Sequence, residues 1–210
     1  MIGTTPIAAA RPGAPQRPTL YYIRHGETDW NREGRLQGAQ DIPLNDLGRK
    51  QATMVGQHLR DLIGGRAETL PWHVSPMDRA RETLALARRT IGLPKDGYTI
   101  DPRLAELSFG TWEGLTWKDV RKSDPARAAG RDADKWGYVP PGGESYAMLR
   151  ERVMPFFNSL TGEAVVVAHG GIARTLLVEL AGMDTLEATV VDIWQGRVLV
   201  FEAGGAHWAP

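Results

Sequence analysis

Two apolar runs, Leu20-Tyr21-Tyr22-Ile23 and Ala164-Val165-Val166-Val167-Ala168, each stop abruptly at a histidine and a glycine, the first through Arg24-His25-Gly26 and the second through His169-Gly170-Gly171. A run without polar alternation reads as a strand buried on both faces, hence a parallel strand covered by helices above and below. In open α/β sheets ligands bind in the crevice outside the carboxyl ends of the strands, so Arg24 and His25 fall where a phosphate-sized anion would be held. Arg24 supplies planar, permanently charged donors. His25 is neutral near pH 7 unless perturbed, so one ring nitrogen is free to act as a nucleophile while a backbone carbonyl holds the other. Gly26 lets the backbone turn sharply toward the ligand. A lone Arg-His pair is more often a solvated strand end. Its repetition in design at His169 argues for one shared pocket.

Strand and helix signals alternate along the rest of the chain. Asn45 reads as an N-cap, and Ala52, Val55, Leu59 and Leu62 form a helical stripe closed by Gly64-Gly65. Trp72-His73-Val74 reads as a short strand, followed after Ser75-Pro76 by a helix burying Ala80, Leu84, Ala87 and Ile91. Tyr98-Thr99-Ile100 reads as an edge strand. Leu149, Val153, Phe156 and Leu160 mark a helix in which Pro155 predicts a kink or an early break. Ile172, Leu176 and Leu180 mark another, ending at Gly182. Residues 190–194 and 197–201, flanking Gln195-Gly196, predict a β-hairpin at the sheet edge. The fold class predicted is α/β, a three-layer sandwich with a mainly parallel central sheet and helices on both faces.

The 210 residues suit one domain, predicted over 19–210. Residues 1–18 carry four prolines and lack the basic start and apolar core of a secretory signal, so they predict a disordered tail. Lysine plus arginine equals aspartate plus glutamate at 25 each, which argues against a nucleic-acid or membrane-surface partner. No apolar run is long enough to span a bilayer. The chain has no cysteine, which excludes disulfides, thiolate metal sites and cysteine nucleophiles and fits a cytoplasmic location.

Two further residues carry potential chemistry. Arg79 sits in the first helical turn after a strand, where helix amides already favour anions, and would face the pocket. The competing reading is that Arg79 and Arg81 are solvated helix charges. Glu106, flanked by leucines and aromatics in a loop, is placed to keep a proton and donate it to a leaving oxygen. Glu113 reads instead as a loop hydrogen bond or salt bridge. The irregular segment 114–143 predicts one or two short helices forming a cap over the pocket mouth. Its Trp117, Trp136 and Tyr138 point to an apolar or aromatic leaving group.

Taken together, Arg24-His25-Gly26-Glu27-Thr28 with Trp30-Asn31, Pro43-Leu44-Asn45 with Gly48, Ser75-Pro76 with Arg79-Ala80 and Glu82-Thr83, Leu104 with Glu106 and Gly110, Gly142-Gly143-Glu144-Ser145, and Ala168-His169-Gly170 resemble the histidine phosphatase superfamily, in its phosphoglycerate-mutase-like branch. The resemblance implies that His25 is a nucleophile forming a phosphohistidine. Arg24, Arg79 and a protonated His169 would neutralise the phosphoryl oxygens, and Glu106 would serve as proton donor and then base. It implies substrate contacts from Asn31 and Gln37, which Gly38 and Gly170 complete. No metal and no cofactor are implied, and a zinc site from His25, His169 and a carboxylate is the competing reading of the same residues. Mutases of this family typically have Gly-Asn after the second histidine, where this chain has Gly170-Gly171, so phosphatase is preferred over mutase. A non-catalytic phospho-ligand-binding module is the third alternative. The partner expected is a small phosphorylated molecule, with a homodimer left open.

Overall fold

The computed structural model describes residues 5–9, 17–203 and 205–209. Strands β1 (Thr5–Ala9), β2 (Leu20–Arg24), β3 (Trp72–Val74), β4 (Thr99–Ile100), β5 (Ala164–Ala168), β6 (Val198–Glu202) and β7 (Gly205–Ala209) form one sheet in the order β1-β7-β6-β2-β5-β3-β4. The helices are α1 (Asp29–Arg32), α2 (Asp46–Ile63), α3 (Asp78–Thr90), α4 (Trp117–Ser123), α5 (Pro125–Ala133), α6 (Tyr146–Asn158), α7 (Gly170–Ala181) and α8 (Thr185–Ala188). Strands β2, β5, β3 and β4 run parallel, and β6, β7 and β1 extend the sheet antiparallel from the other side of β2.

Side chains two apart on a strand share a face, and the two central strands divide accordingly. Tyr22, Val166 and Ala168 pack with Leu149, Val153, Ile172 and Leu176 of α6 and α7. Ile23, Val165 and Val167 pack on the opposite face with Val55, Leu59, Ala80 and Leu84 of α2 and α3. This is the three-layer α/β sandwich, with the two His-Gly strands adjacent at its centre in the register Arg24 to Ala168. Their carboxyl ends therefore emerge side by side.

Four expectations need correction. Residues 5–9 are an edge strand paired with β7, because the backbone groups left open on the outer side of that strand accept another chain segment. The remainder of 1–16 lies outside the described residues. The hairpin is one step later than predicted, between β6 and β7, and 190–194 is a loop. Its Val191 and Ile193 carbonyls accept from arginine side chains instead of from a partner strand. Pro155 does not end α6, which runs to Asn158, because the buried Phe156 and Phe157 anchor the last turn in the core. Gly26 is needed for packing: a Cβ there would collide with the Gly48 backbone at the start of α2.

Candidate active site

The parallel strands end on one side of the sheet, and a cavity of about 140 Å³ opens there. Arg24, His25, Asn31, Gln37, Gly38, Arg79, Glu106 and Gly170 all line it. His169 is fully buried, its ring centroid 5.2 Å from that of His25. All nine residues singled out in the sequence thus meet at one place. A larger cavity of about 500 Å³ lies at the opposite end of the strands, around Leu20, Phe157 and Phe201, and no histidine lines it.

The two imidazoles are held differently. His25 Nδ1 lies 2.8 Å from the Gly26 carbonyl oxygen, which fixes the proton on Nδ1 and leaves Nε2 with a free lone pair. Burial, then the charges of Arg79 and Arg24, hold the His25 pKa well below the usual imidazole value. His169 Nε2 lies 2.6 Å from Ser75 Oγ. That hydroxyl also accepts from the Met77 amide at 3.3 Å, so its own proton is free to point at Nε2. The tautomer this selects carries a proton on Nδ1, which is buried without a partner. Burial, Arg79, His25 and Arg24 depress the His169 pKa strongly, so in the free protein His169 offers a neutral N–H rather than the cation expected from the sequence. Tyr22 braces the backbone beneath it, its hydroxyl donating to the His169 carbonyl at 2.6 Å and accepting from the His169 amide at 2.9 Å.

The two arginines are tied down by backbone carbonyls. Arg79 is wholly buried, and its terminal nitrogens donate to the Gln40 carbonyl at 2.6 Å and the Gly38 carbonyl at 3.0 Å, with Asp41 at 3.3 Å. Arg24 donates from Nη1 to the Ile193 carbonyl at 2.8 Å. In each guanidinium Nε is buried with no partner. Burial, followed by Arg174, pushes the Arg24 pKa down to about 10, and burial lowers that of Arg79 as well, so Arg24 stays charged at neutral pH. Among the described residues, the buried side-chain atoms without a partner are Arg24 Nε, Arg79 Nε, His169 Nδ1, Gln37 Oε1 and His73 Nδ1. A buried donor left unpaired is costly; Arg24 and Arg79 line the cavity and His169 packs against His25 beside it, so an anion bound there is the kind of partner these donors lack. The terminal amide of Gln37 can rotate to bring its N–H groups to the same point.

Other expected residues have specific seats. Glu106 is half-buried, and its carboxylate accepts from the Leu107 amide at 2.8 Å and the Gly171 amide at 3.2 Å, a more polar setting than its leucine neighbours suggested. A Cβ at Gly171 would come within 2.5 Å of that carboxylate. Asn31 spends its amide oxygen on the Thr28 cap of α1 and on Gln195, leaving Nδ2 outside these bonds. Gly38 has φ +54°, and a Cβ there would collide with Glu113. Glu113 is the loop hub predicted for it, accepting from Ala39, Gln40, Ser108 and Phe109. Arg81 is the solvent-side charge of its pair and bridges to Asp78.

The segment 114–143 does form two short helices, α4 and α5, but none of its residues lines the cavity. Trp117 packs edge-on against Phe109 and Trp112, Tyr138 stacks on Trp112, and Trp136 stacks on Tyr146. Its aromatics pack on one another and on Phe109 and Tyr146 of the pocket wall, and none of them lines the cavity itself. Among the described residues no group of three or more histidine, aspartate or glutamate side chains is arranged to hold a metal, so the zinc reading lacks a ligand set.

The sequence profile of the histidine phosphatase superfamily, branch 1, matches residues 20–209. The chain belongs to that superfamily. A glucosyl-3-phosphoglycerate phosphatase from Mycolicibacterium vanbaalenii is 32% identical over 202 residues, covering 90% of this chain and 81% of its own. A 2,3-bisphosphoglycerate-dependent phosphoglycerate mutase from Chelativorans is 30% identical, covering 87% and 91%. The crystal structure of α-ribazole phosphatase from Shigella flexneri superposes with a TM-score of 0.73 at 27% identity, covering 87% and 89%. Histidine phosphatase relatives thus include both hydrolases and mutases. Within this member, the pocket residues that sequence reasoning missed are Arg35, Leu36, Leu107, Phe109, Tyr146, Gly171 and Arg174. For Arg174 the signal was present: it lies four residues after Gly170 on one helix, and that spacing puts both on one face.

Proposed function

We propose that the protein is a metal-independent phosphatase that hydrolyses a phosphomonoester through a phosphohistidine on His25. The observation that carries this reading is the convergence of unpaired N–H donors from Arg24, Arg79 and His169 beside the free Nε2 of His25. Nε2 attacks phosphorus, forming a P–N bond as the bond to the ester oxygen breaks. Glu106 delivers a proton to the departing alkoxide, and the same carboxylate then takes a proton from the water that cleaves the P–N bond. The three donors stabilise charge spreading over the equatorial oxygens, which is the role a metal fills in other phosphoryl-transfer sites. A cavity of about 140 Å³ suits the phosphoryl head and leaves the alcohol to extend outward. Gly171 supports hydrolysis over phosphoryl transfer between substrates, since mutases of this family typically carry an asparagine in its place.

The test uses p-nitrophenyl phosphate with EDTA present. Turnover is expected to persist, to trap acid-labile phosphate on the protein, and to fall by at least about 10³-fold in His25→Ala. Turnover surviving in that variant sinks the nucleophile, and turnover abolished by EDTA sinks metal independence.

A further inference from the structure

On the phosphatase reading Arg24 and Arg79 share one task, yet they are aimed by different means. Arg79 is held by three oxygens, the carbonyls of Gln40 and Gly38 and the Asp41 carboxylate. Among the described residues, the Ile193 carbonyl, 2.8 Å from Nη1, is the one acceptor that the Arg24 side chain meets. The direction of its unpartnered Nε therefore depends on where that carbonyl stands. The carbonyl belongs to a stretch, 192–197, that makes no backbone–backbone hydrogen bond among the described residues. Side chains hold this stretch instead. Ile193 is buried in the core, Gln195 Nε2 donates to Asn31 Oδ1 at 3.0 Å, and the Trp194 ring stacks on the Trp208 ring, 5.4 Å between centres and 23° between planes.

The stack has a firm member and a loose one. Trp208 is buried on β7, which is paired on both sides and sets it opposite Thr5 of β1 and Leu199 of β6. Trp194 leaves 41% of its surface to solvent and carries the Arg197 guanidinium 4.3 Å from its ring centre. The ring fixes more than itself, because the oxygen that Arg24 meets belongs to the planar peptide joining Ile193 to Trp194. Holding the indole against a rigid strand holds that plane, and the plane sets the direction of the oxygen. We propose that Trp194 is a positioning residue, whose stack on Trp208 fixes the Ile193–Trp194 peptide and thereby aims the Arg24 guanidinium at the phosphoryl group. The proposal deepens the phosphatase reading and rests on it for the task it gives Arg24.

Inorganic phosphate and p-nitrophenyl phosphate test it on the full chain. Trp194→Leu, its fold verified by circular dichroism, is expected to raise the Kd for inorganic phosphate and to lower kcat/KM for p-nitrophenyl phosphate by at least about threefold each. Trp194→Phe keeps a ring on Trp208 and should stay within about twofold of the wild type. A double-mutant cycle asks whether the effect travels through Arg24. On an Arg24→Lys background, where a single nitrogen replaces the rigid fork, Trp194→Leu should cost less than about a further twofold. Should Trp194→Leu not fold, Trp194→Met removes the ring in its place. A phosphate affinity that stays within about twofold in the folded variant, Trp194→Phe no better than Trp194→Leu, or an undiminished loss on the Arg24→Lys background overturns the positioning role. Absence of p-nitrophenyl phosphate hydrolysis in the wild type removes the phosphatase reading instead, and the same cycle then judges Trp194 on phosphate affinity alone.

Discussion

The floor of the pocket and the segment 114–143 are built on opposite plans. The floor, at the ends of β2 and β5 and the start of α3, buries polar groups and leaves several of them without partners. The segment 114–143 buries aromatic rings against one another, and with Leu36, Trp112, Val120 and Ala128 it makes a small core of its own. It touches the site at one remove: Leu36 and Leu115 exchange backbone contact, and the Gly114 amide donates to the Leu36 carbonyl, so the segment holds the loop that carries Gln37 and Gly38. On the phosphatase reading proposed above, the difference teaches that affinity for the phosphoryl group is stored in the floor as unmet hydrogen-bonding capacity. The outer segment contributes loop position instead.

The sharpest way to break this comparison is at Arg79. Arg79→Met removes one donor from the floor and strands the carbonyls of Gly38 and Gln40. A loss of about 10²- to 10³-fold in kcat on p-nitrophenyl phosphate is expected, the usual cost of deleting a transition-state donor. Stability in urea should fall as well, since each stranded buried carbonyl costs about 1–3 kcal/mol. A drop in kcat of less than about tenfold would mean that the floor is not where transition-state charge is met.

A second effect follows from the same burial of imidazoles. The folded pKa values of His25 and His169 are held well below those of the unfolded chain. Below about pH 6.5 the unfolded chain therefore takes up protons that the folded protein refuses. Stability contributed by the neutral rings is present above that pH and is lost as pH falls through the window down to the folded values. The expected slope is about 1.4 kcal/mol per pH unit for each of the two rings. Urea unfolding at a series of pH values measures it, and His169→Asn should remove the share of one ring, while His58 and His73, whose pKa values burial also lowers, keep theirs. A flat profile between pH 6.5 and 5 would show that the floor does not exclude protons.

How much of this was legible in the sequence follows the same division. His25 and His169 were readable because an unbroken apolar run has few structural interpretations, and a strand end fixes where the next side chain points. Arg79 was readable from its place in the first turn of a helix that follows a strand. That Trp117, Trp136 and Tyr138 sit off the cavity was not legible, because short helices and loops let an aromatic ring face a ligand or a neighbouring ring with equal sequence signal, and packing decides. The loop 190–194 resembled a strand because its valines and isoleucine have strand propensity. Two arginines distant in sequence instead took its carbonyls, and local pattern carries no trace of that. Ser75 belonged to a recognised stretch, but its bond to His169 spans 94 residues and appears only in three dimensions.

The gentlest test asks whether the outer segment acts through position alone. Trp117 is half-buried, 5.9 Å from Phe109 and 6.0 Å from Trp112 between ring centres, with the Arg131 guanidinium 3.8 Å above it. Trp117→Leu keeps an apolar side chain and forfeits the two edge-on ring contacts and the cation–π contact, a loss of about 1–2 kcal/mol in the stability of this small core. Because Phe109 lines the pocket and Leu36 leads into Gln37, the loosening reaches the substrate as a rise in KM of about two- to threefold. The kcat should stay within about a factor of two, since no group touching the phosphoryl oxygens has changed. Steady-state kinetics on p-nitrophenyl phosphate separates the two constants. A kcat loss as large as that of Arg79→Met would erase the distinction between floor and outer segment and place Trp117 inside the machinery.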